Sequence, residues 1–327
     1  MTVNRLKILV GFLLVQFRCT SHAFLQQASV VPRRSRTTNS RNLVSSANES
    51  SNAIEDGDND DDNFMKALRT RVEQVTDRDT KLPILLLDSM LPRQVLRLEL
   101  RQTPDIQPLL ELMKRRIAEE NPCFGMVGTA RLRTGQLFPL QHGVEVLLVG
   151  KPTVTAHGTV HIAFQATNRR MRITGEMDTT PQGWTEARVV FLDSSQEEAA
   201  EQEQHPQSPS TLARAQARAH EFTSPNMNMP EGKSLIDRWI ELAKERELRP
   251  GQIDQVLQEI GEIPPAEQPS ERAYWVGALI NPLPGMGVAL EIRPSLLMAK
   301  TAEERVTIAL QGIFGSIKYM DGSAPLI

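Results

Sequence analysis

The sequence is short of cysteine and of aromatic residues, and each shortage removes a class of protein. Its two cysteines are Cys19 and Cys123. Cys19 falls in an amino-terminal targeting segment, which leaves Cys123 alone, so neither an internal disulfide nor a cysteine zinc site is expected in the mature chain. Aromatic residues make up 5% of the chain, a poor supply for stacking unpaired bases. The apolar run from Ile8 to Phe17 is about half the roughly 20 residues that a bilayer-spanning helix needs, so no stable membrane anchor is expected. Acidic residues are missing from the first 48 positions, which hold Arg5, Lys7, Arg18, Arg33, Arg34, Arg36 and Arg41. With those seven set aside, 30 basic residues face 40 acidic ones, a balance of −10 for the remainder. A body of that charge repels phosphate backbones at long range, which argues against general nucleic-acid binding.

Metal and calcium chemistry are also thin. Two histidines, His157 and His161, have the even spacing that puts both on one face of a strand, but no third ligand is near. The acidic run Glu55 to Asp62 fails as a calcium loop. Such a loop needs Gly at its sixth position and Glu at its twelfth, and neither register starting at Asp56 or Asp58 supplies them. It reads as an acidic linker.

What is there begins with an address. Arg5 and Lys7 precede the short apolar run, and Ser21-His22-Ala23 follows it, the pattern of a secretory signal peptide over residues 1–23. Residues 24–63 join a Ser-, Arg- and Asn-rich stretch to the acidic linker. Signal peptide, then Phe24, then a basic stretch resembles the bipartite plastid presequence of algae with secondary plastids; plain secretion is the alternative. Phe64, Leu68, Val72 and Val75 recur at helical spacing, predicting a short helix over 64–80.

Strand signals follow. Leu82–Leu87 is a compact apolar run, and Val95, Leu96, Leu98 and Leu100 make a second strand after the turn Leu91-Pro92-Arg93. Thr103-Pro104-Asp105 predicts a helix start with Thr103 as cap, and Leu109, Leu112, Met113 and Ile117 keep its period until Asn121-Pro122. From Phe124 on, short alternating runs return: Val144–Val149, then Val160, Ile162 and Phe164, then Met171 and Ile173, then Ala187, Val189 and Phe191. Residues 195–230, rich in Gln, Glu, Ser, Ala and Pro, read as a disordered linker, part of it open to helix. Amphipathic helices are expected around Trp239 and Val256, a third from a Ser270 cap through Trp275, and a last one after a capping box at Thr301 and Glu304.

This order resembles the LON domain, the amino-terminal substrate-recognition domain of Lon-type proteases. The residues that carry the resemblance are Leu82–Leu87, Phe124-Gly125, Arg169-Arg170, Trp184 to Asp193, Trp275 and Glu304-Arg305. It implies an α+β fold: a PUA-like β pseudo-barrel over residues 81–194 with one inserted helix, followed by a helical carboxyl-terminal part over 231–320. Two turns depart from the family pattern. Leu91-Pro92-Arg93 replaces Phe-Pro-Gly, and Thr167-Asn168 stands where Gly often precedes the paired arginines, with Asn able to adopt the left-handed conformation.

The resemblance implies a non-catalytic module that recognises polypeptides, working in quality control beside a protease or chaperone. RNA binding, known among PUA relatives, is the alternative, with Arg131, Arg133, Arg169, Arg170 and Arg172 as its basic patch. Solvated strand faces and structural ion pairs are the simpler account of these arginines. No phosphate loop of the Walker type occurs: Pro152 follows Gly150-Lys151, and Met227 stands where the first Gly before Gly232-Lys233-Ser234 belongs. Met320-Asp321-Gly322-Ser323 is similar to the run at a Lon nucleophile, but Ser323 lies near the end of the chain without its later lysine. No catalytic, cofactor or metal residue is expected, and no substrate-binding residue is named by the sequence.

Overall fold

A computed structural model describes residues 80–119, 122–131, 134–194, 196–198, 211–226 and 232–326. The targeting segment and residues 64–79 of the helix expected over 64–80 lie outside the described residues, and Thr80 already belongs to a strand.

Among the described residues eight strands form one mixed sheet: β1 (Thr80–Leu87), β2 (Val95–Arg101), β3 (Cys123–Arg131), β4 (Leu137–Leu148), β5 (Thr153–Val154), β6 (Thr159–Ile173), β7 (Asp178–Thr179) and β8 (Thr185–Leu192). β1 and β3 are parallel, with Ile84 opposite Gly125. A parallel pair needs a crossover, and the chain supplies it through β2 and helix α1 (Gln107–Ala118). The other pairings are antiparallel, and they close a ring in which β6 meets β4 and β8, β8 meets β1, and β3 joins β1 to β4.

The 15-residue β6 makes this closure possible. Its first half pairs with β2 and its last four residues with β8, so two strands share successive stretches of one edge. The two runs read separately in the sequence, Val160–Phe164 and Met171–Ile173, are therefore one strand. No turn divides them at Thr167-Asn168. A bulge stands there instead, with Val144 opposite Arg170 and Val146 opposite Ala166. Among the described non-glycine residues only Arg93 has a positive φ, 71°, so the left-handed position falls at the altered Pro-Arg turn and not at Asn168.

Period-2 alternation sends the two faces of the sheet to different cores. Leu82, Ile84, Val127, Met171, Ile173, Ala187 and Val189 make a small core within the ring. Phe124, Met126, Val144, Val146, Leu148, Ile162 and Phe164 point the other way, into a larger core shared with the helices. Phe124 meets Phe164 edge to face at 5.8 Å. Gly143 is required by the close approach of β3 and β4, since a Cβ there would lie 2.1 Å from the Met126 carbonyl oxygen.

The helical part is α2 (Thr211–Ala219), α3 (Leu235–Lys244), α4 (Gln252–Ile260), α5 (Pro269–Ile280), α6 (Arg293–Met298) and α7 (Ala302–Met320). α5 is apolar on most sides and correspondingly buried, from Pro269 to Ile280 except at Glu271. α7 starts in the expected capping box of Thr301 and Glu304. Trp239 of α3 is fully buried and donates to Ser316 Oγ of α7 at 2.8 Å.

Three expectations are corrected here. Residues 211–222 are not linker: α2 and the 3-10 turn His220–Phe222 bury Ala215, Ala219 and Phe222 in the larger core. Thr103 stands at the N-cap of a 3-10 turn, Pro104–Ile106, that precedes α1, and its side chain makes no capping bond. Ser270 is not a cap either. Pro269 already opens α5, and the Ser270 hydroxyl is buried as an acceptor for Arg305 Nη1 at 2.9 Å.

Candidate functional site

The arginines proposed as a basic patch do not act together. Arg131 and Arg172 are exposed, while Arg133 lies outside the described residues. Arg169 lies over the Phe191 ring at 3.6 Å, with Glu145 Oε1 at 3.4 Å from its Nη1. Glu145 is itself buried and accepts from the Thr167 hydroxyl at 3.1 Å. Arg170 is 2% exposed and turned toward the helices. The simpler reading, structural ion pairs, accounts for Arg169 and Arg170.

The remaining sequence candidates separate as well. His157 is in the turn between β5 and β6, and His161 stands on β6 with Glu99 3.7 Å from its Nδ1. Among the described residues no three His, Cys, Asp or Glu side chains come together as metal ligands. The Ser323 hydroxyl lies 2.5 Å from Asp321 Oδ1 and 3.3 Å from the Lys318 carbonyl oxygen, so the contact it makes with Lys318 is to backbone. Burial, and then the charge of Glu145, push the Cys123 thiol up, the opposite of an activated nucleophile. A depression of about 420 Å³ at the start of α7 contains Glu303 and Glu304, but Glu303 is engaged by Arg214 and Glu304 by the capping box. No described helix is long and apolar enough to cross a membrane.

Two features remain. The first is an open strip on the sheet. Gly125 and Cys123 of β3 pair with Glu145 and Leu147 of β4, so all four face the same side. That side is the one lining the small core, because a Cβ on Gly125 would meet Met171 and Ile84. Past the Glu145–Arg169 pair this face is no longer covered. Leu147 is 37% and Val149 48% exposed, with Ala163 of β6 beside Val149 through the Val149 N–H to Ala163 O bond at 2.8 Å. Half-buried Cys123 completes an apolar strip at the open end of the ring.

The second is a buried clasp between sheet and helices. Glu197 sits on a helical turn just after β8, where its N–H donates to Asp193 O at 3.0 Å. Its Oε2 accepts from Arg170 of β6 and from Arg305 of α7, each at 2.5 Å. Both guanidiniums face the ring of Tyr274 on α5, at 5.2 and 5.8 Å. Burial pushes the Tyr274 hydroxyl up to about 12. Nothing in the sequence singles out Glu197, which looks like one of several acids in low-complexity sequence. Of the clasp's members the family resemblance marks Arg170 and Arg305.

No family profile and no curated protein sequence matches the chain. Among solved structures it is similar to a Lon N-terminal domain protein from Xanthomonas campestris, at 16% identity and a TM-score of 0.39, over 71% of this chain and 98% of that one. It is also similar to the N-terminal domain of the Lon protease of the Mycobacterium avium complex, at 12% identity and a TM-score of 0.42, over 72% of this chain and 98% of that one.

Proposed function

We propose that this chain is a non-catalytic polypeptide-recognition module, acting as an adaptor in protein quality control and delivered to a plastid. The observation that carries the binding reading is the strip at Leu147 and Val149. Two apolar side chains two residues apart, Leu147 at the end of β4 and Val149 just past it, are left open where the ring ends. They offer what an unfolded segment needs: apolar surface for its side chains beside a sheet edge along which to lie. The polar pair Glu145–Arg169 bounds the strip on one side, so it has the apolar centre and polar edge common to recognition surfaces. The sequence resemblance to LON domains supports the same reading, and the signal-peptide pattern with its basic extension supports the plastid setting.

The test is equilibrium binding of the full chain to a fluorescently labelled, permanently unfolded polypeptide, followed by anisotropy. Saturable binding of the unfolded form, and none of the same polypeptide when folded, is the expected result. Equal retention of both forms, or of neither, contradicts recognition of unfolded chains. Import of a fusion of residues 1–63 to a fluorescent protein tests the address separately; secretion of the fusion contradicts it.

A further inference from the structure

β2 stands outside the closed ring, at one end of the strand order, and is paired along one edge only, with β6. Its hydrogen-bonding parity is fixed at both ends. The Ala166 N–H donates to Gln94 O and the Gln102 N–H to Gly158 O, each at 2.8 Å. Between these bonds Leu96, Leu98 and Leu100 turn their main-chain groups toward β6, and Val95, Arg97, Glu99 and Arg101 turn theirs away. No strand among the described residues takes up that outer row. The side chains alternate by the same geometry. Leu96 and Leu98 are buried under the sheet, while Arg97 and Glu99 stand on its other face with side chains 54% and 75% exposed. Arg97 keeps that exposure although its Nη1 meets Glu259 Oε1 of α4 at 2.7 Å.

A row of unpaired N–H and C=O groups is a template for another strand, and folded proteins guard such edges by shortness, proline or charge. The opposite end of the strand order is guarded by shortness, since β7 has two residues. β2 has seven, Val95-Leu96-Arg97-Leu98-Glu99-Leu100-Arg101, with no proline and no lysine. Its charges alternate in sign, so a second β2 is repelled or attracted according to register. Opposite charges directly across a strand pair attract and like charges repel.

Parity admits only registers that set outward-facing residues against outward-facing residues. In an antiparallel pair centred on Glu99, that carboxylate meets its own copy and Arg97 meets Arg101. Centred on Arg97, two guanidiniums meet. Centred on Leu98, Arg97 of each copy faces Glu99 of the other, Val95 faces Arg101, and all seven residues pair. Under the sheet Leu96 then faces Leu100, and Leu98 faces Leu98.

We propose that two copies of this chain associate through β2, antiparallel about a two-fold axis at Leu98, so that the sheet runs on from one copy into the other. The surface is self-complementary, as a two-fold interface requires. The pairing also bears on the exposed strip. Leu147 is opposite Gln165 and Gln165 opposite Val95, so the outer face of β2 is the face that carries the strip. An axis perpendicular to the sheet leaves both strips on one side, where a single unfolded polypeptide can reach the two. That consequence rests on the reading of the chain as a polypeptide binder; the pairing itself does not.

The test is sedimentation equilibrium of the full chain and of its Arg97→Glu and Glu99→Arg variants, with folding followed by circular dichroism. The natural chain is expected to form dimers as its concentration rises. Each variant turns both Arg–Glu contacts into like-charge contacts, and is expected to dimerise at least about tenfold more weakly. Mixed in equal amounts, the two variants are expected to recover the natural affinity as a mixed dimer, because residue 97 of one copy faces residue 99 of the other. A natural chain that stays monomeric overturns the proposal, as do variants that dimerise unchanged or a mixture that fails to recover. Should a variant not fold, hydrogen exchange of the natural chain replaces the set. The Arg97 and Glu99 amides are expected to exchange more slowly as the chain is concentrated, and equal rates overturn the pairing. If an unfolded polypeptide slows them and concentration does not, the edge takes up that polypeptide instead, and self-pairing fails while polypeptide recognition stands.

Discussion

Gln94 Nε2 donates to the carbonyl oxygen of Asn281 at 2.8 Å, joining the turn before β2 to the end of α5. The same amide reaches Ala278 O at 3.3 Å, and its Oε1 accepts from the Leu91 N–H at 2.9 Å. Gln94 is 3% exposed, so water cannot replace these bonds. Its replacement by Leu keeps the volume and leaves three backbone groups unpaired. Each costs about 1–3 kcal/mol when buried, and the Gln94→Leu chain is expected to lose about 3 kcal/mol in denaturant unfolding.

Arg93 next door has φ 71°, which favours glycine over any residue with a Cβ. Its guanidinium offsets part of that strain by donating to Glu262 O at 3.1 Å across to the end of α4. Arg93→Ala loses the bond and keeps the strain, whereas Arg93→Gly loses the bond and relieves it. The Gly variant is therefore expected to be more stable than the Ala variant by about 1 kcal/mol. Equal midpoints in urea contradict the left-handed assignment.

Two glycines separate steric need from chance. Gly143→Ala sets a Cβ against the Met126 carbonyl oxygen, backbone against backbone, and is expected to lower the melting temperature sharply or prevent folding. Gly315, in the middle of α7, has nothing within 4 Å of where a Cβ would stand. Gly315→Ala is expected to add roughly 0.5–1 kcal/mol through helix propensity alone.

Burial of Tyr274 links stability to alkaline pH. Its hydroxyl is raised from 10.0 to about 12 in the folded chain, so the folded state holds its proton where the unfolded state loses it. The contribution is fully present below pH 10 and is lost as pH rises through about 12. Unfolding midpoints are expected to fall across that window, and the fall to be smaller in Tyr274→Phe.

The strands were legible in the sequence because alternation is local: Val144, Val146 and Leu148 bury while Leu147 and Val149 do not. The amphipathic helices around Trp239 and Val256 were legible for the same reason. Continuity was not. The bulge opposite Glu145 lets β6 run on through Thr167-Asn168, and nothing in a single strand's sequence announces its partner's register. α2 is hidden in linker-like composition because its buried face is mostly alanine, Ala215 and Ala219, with Phe222 just past its end. The clasp was out of reach altogether. Glu197 finds Arg305 at a separation of 108 residues, and local composition carries no record of such a contact.

The measurement that bears most directly on the functional reading is the affinity of the full chain for an unfolded polypeptide before and after Leu147→Ser and Val149→Ser together. Both side chains are exposed, so folding is expected to survive, as circular dichroism will show. One buried leucine is worth about 1.5–3 kcal/mol and about 1.4 kcal/mol is tenfold in affinity. Binding is predicted to weaken by at least tenfold or so. Unchanged binding by the folded double variant contradicts the strip as the recognition surface.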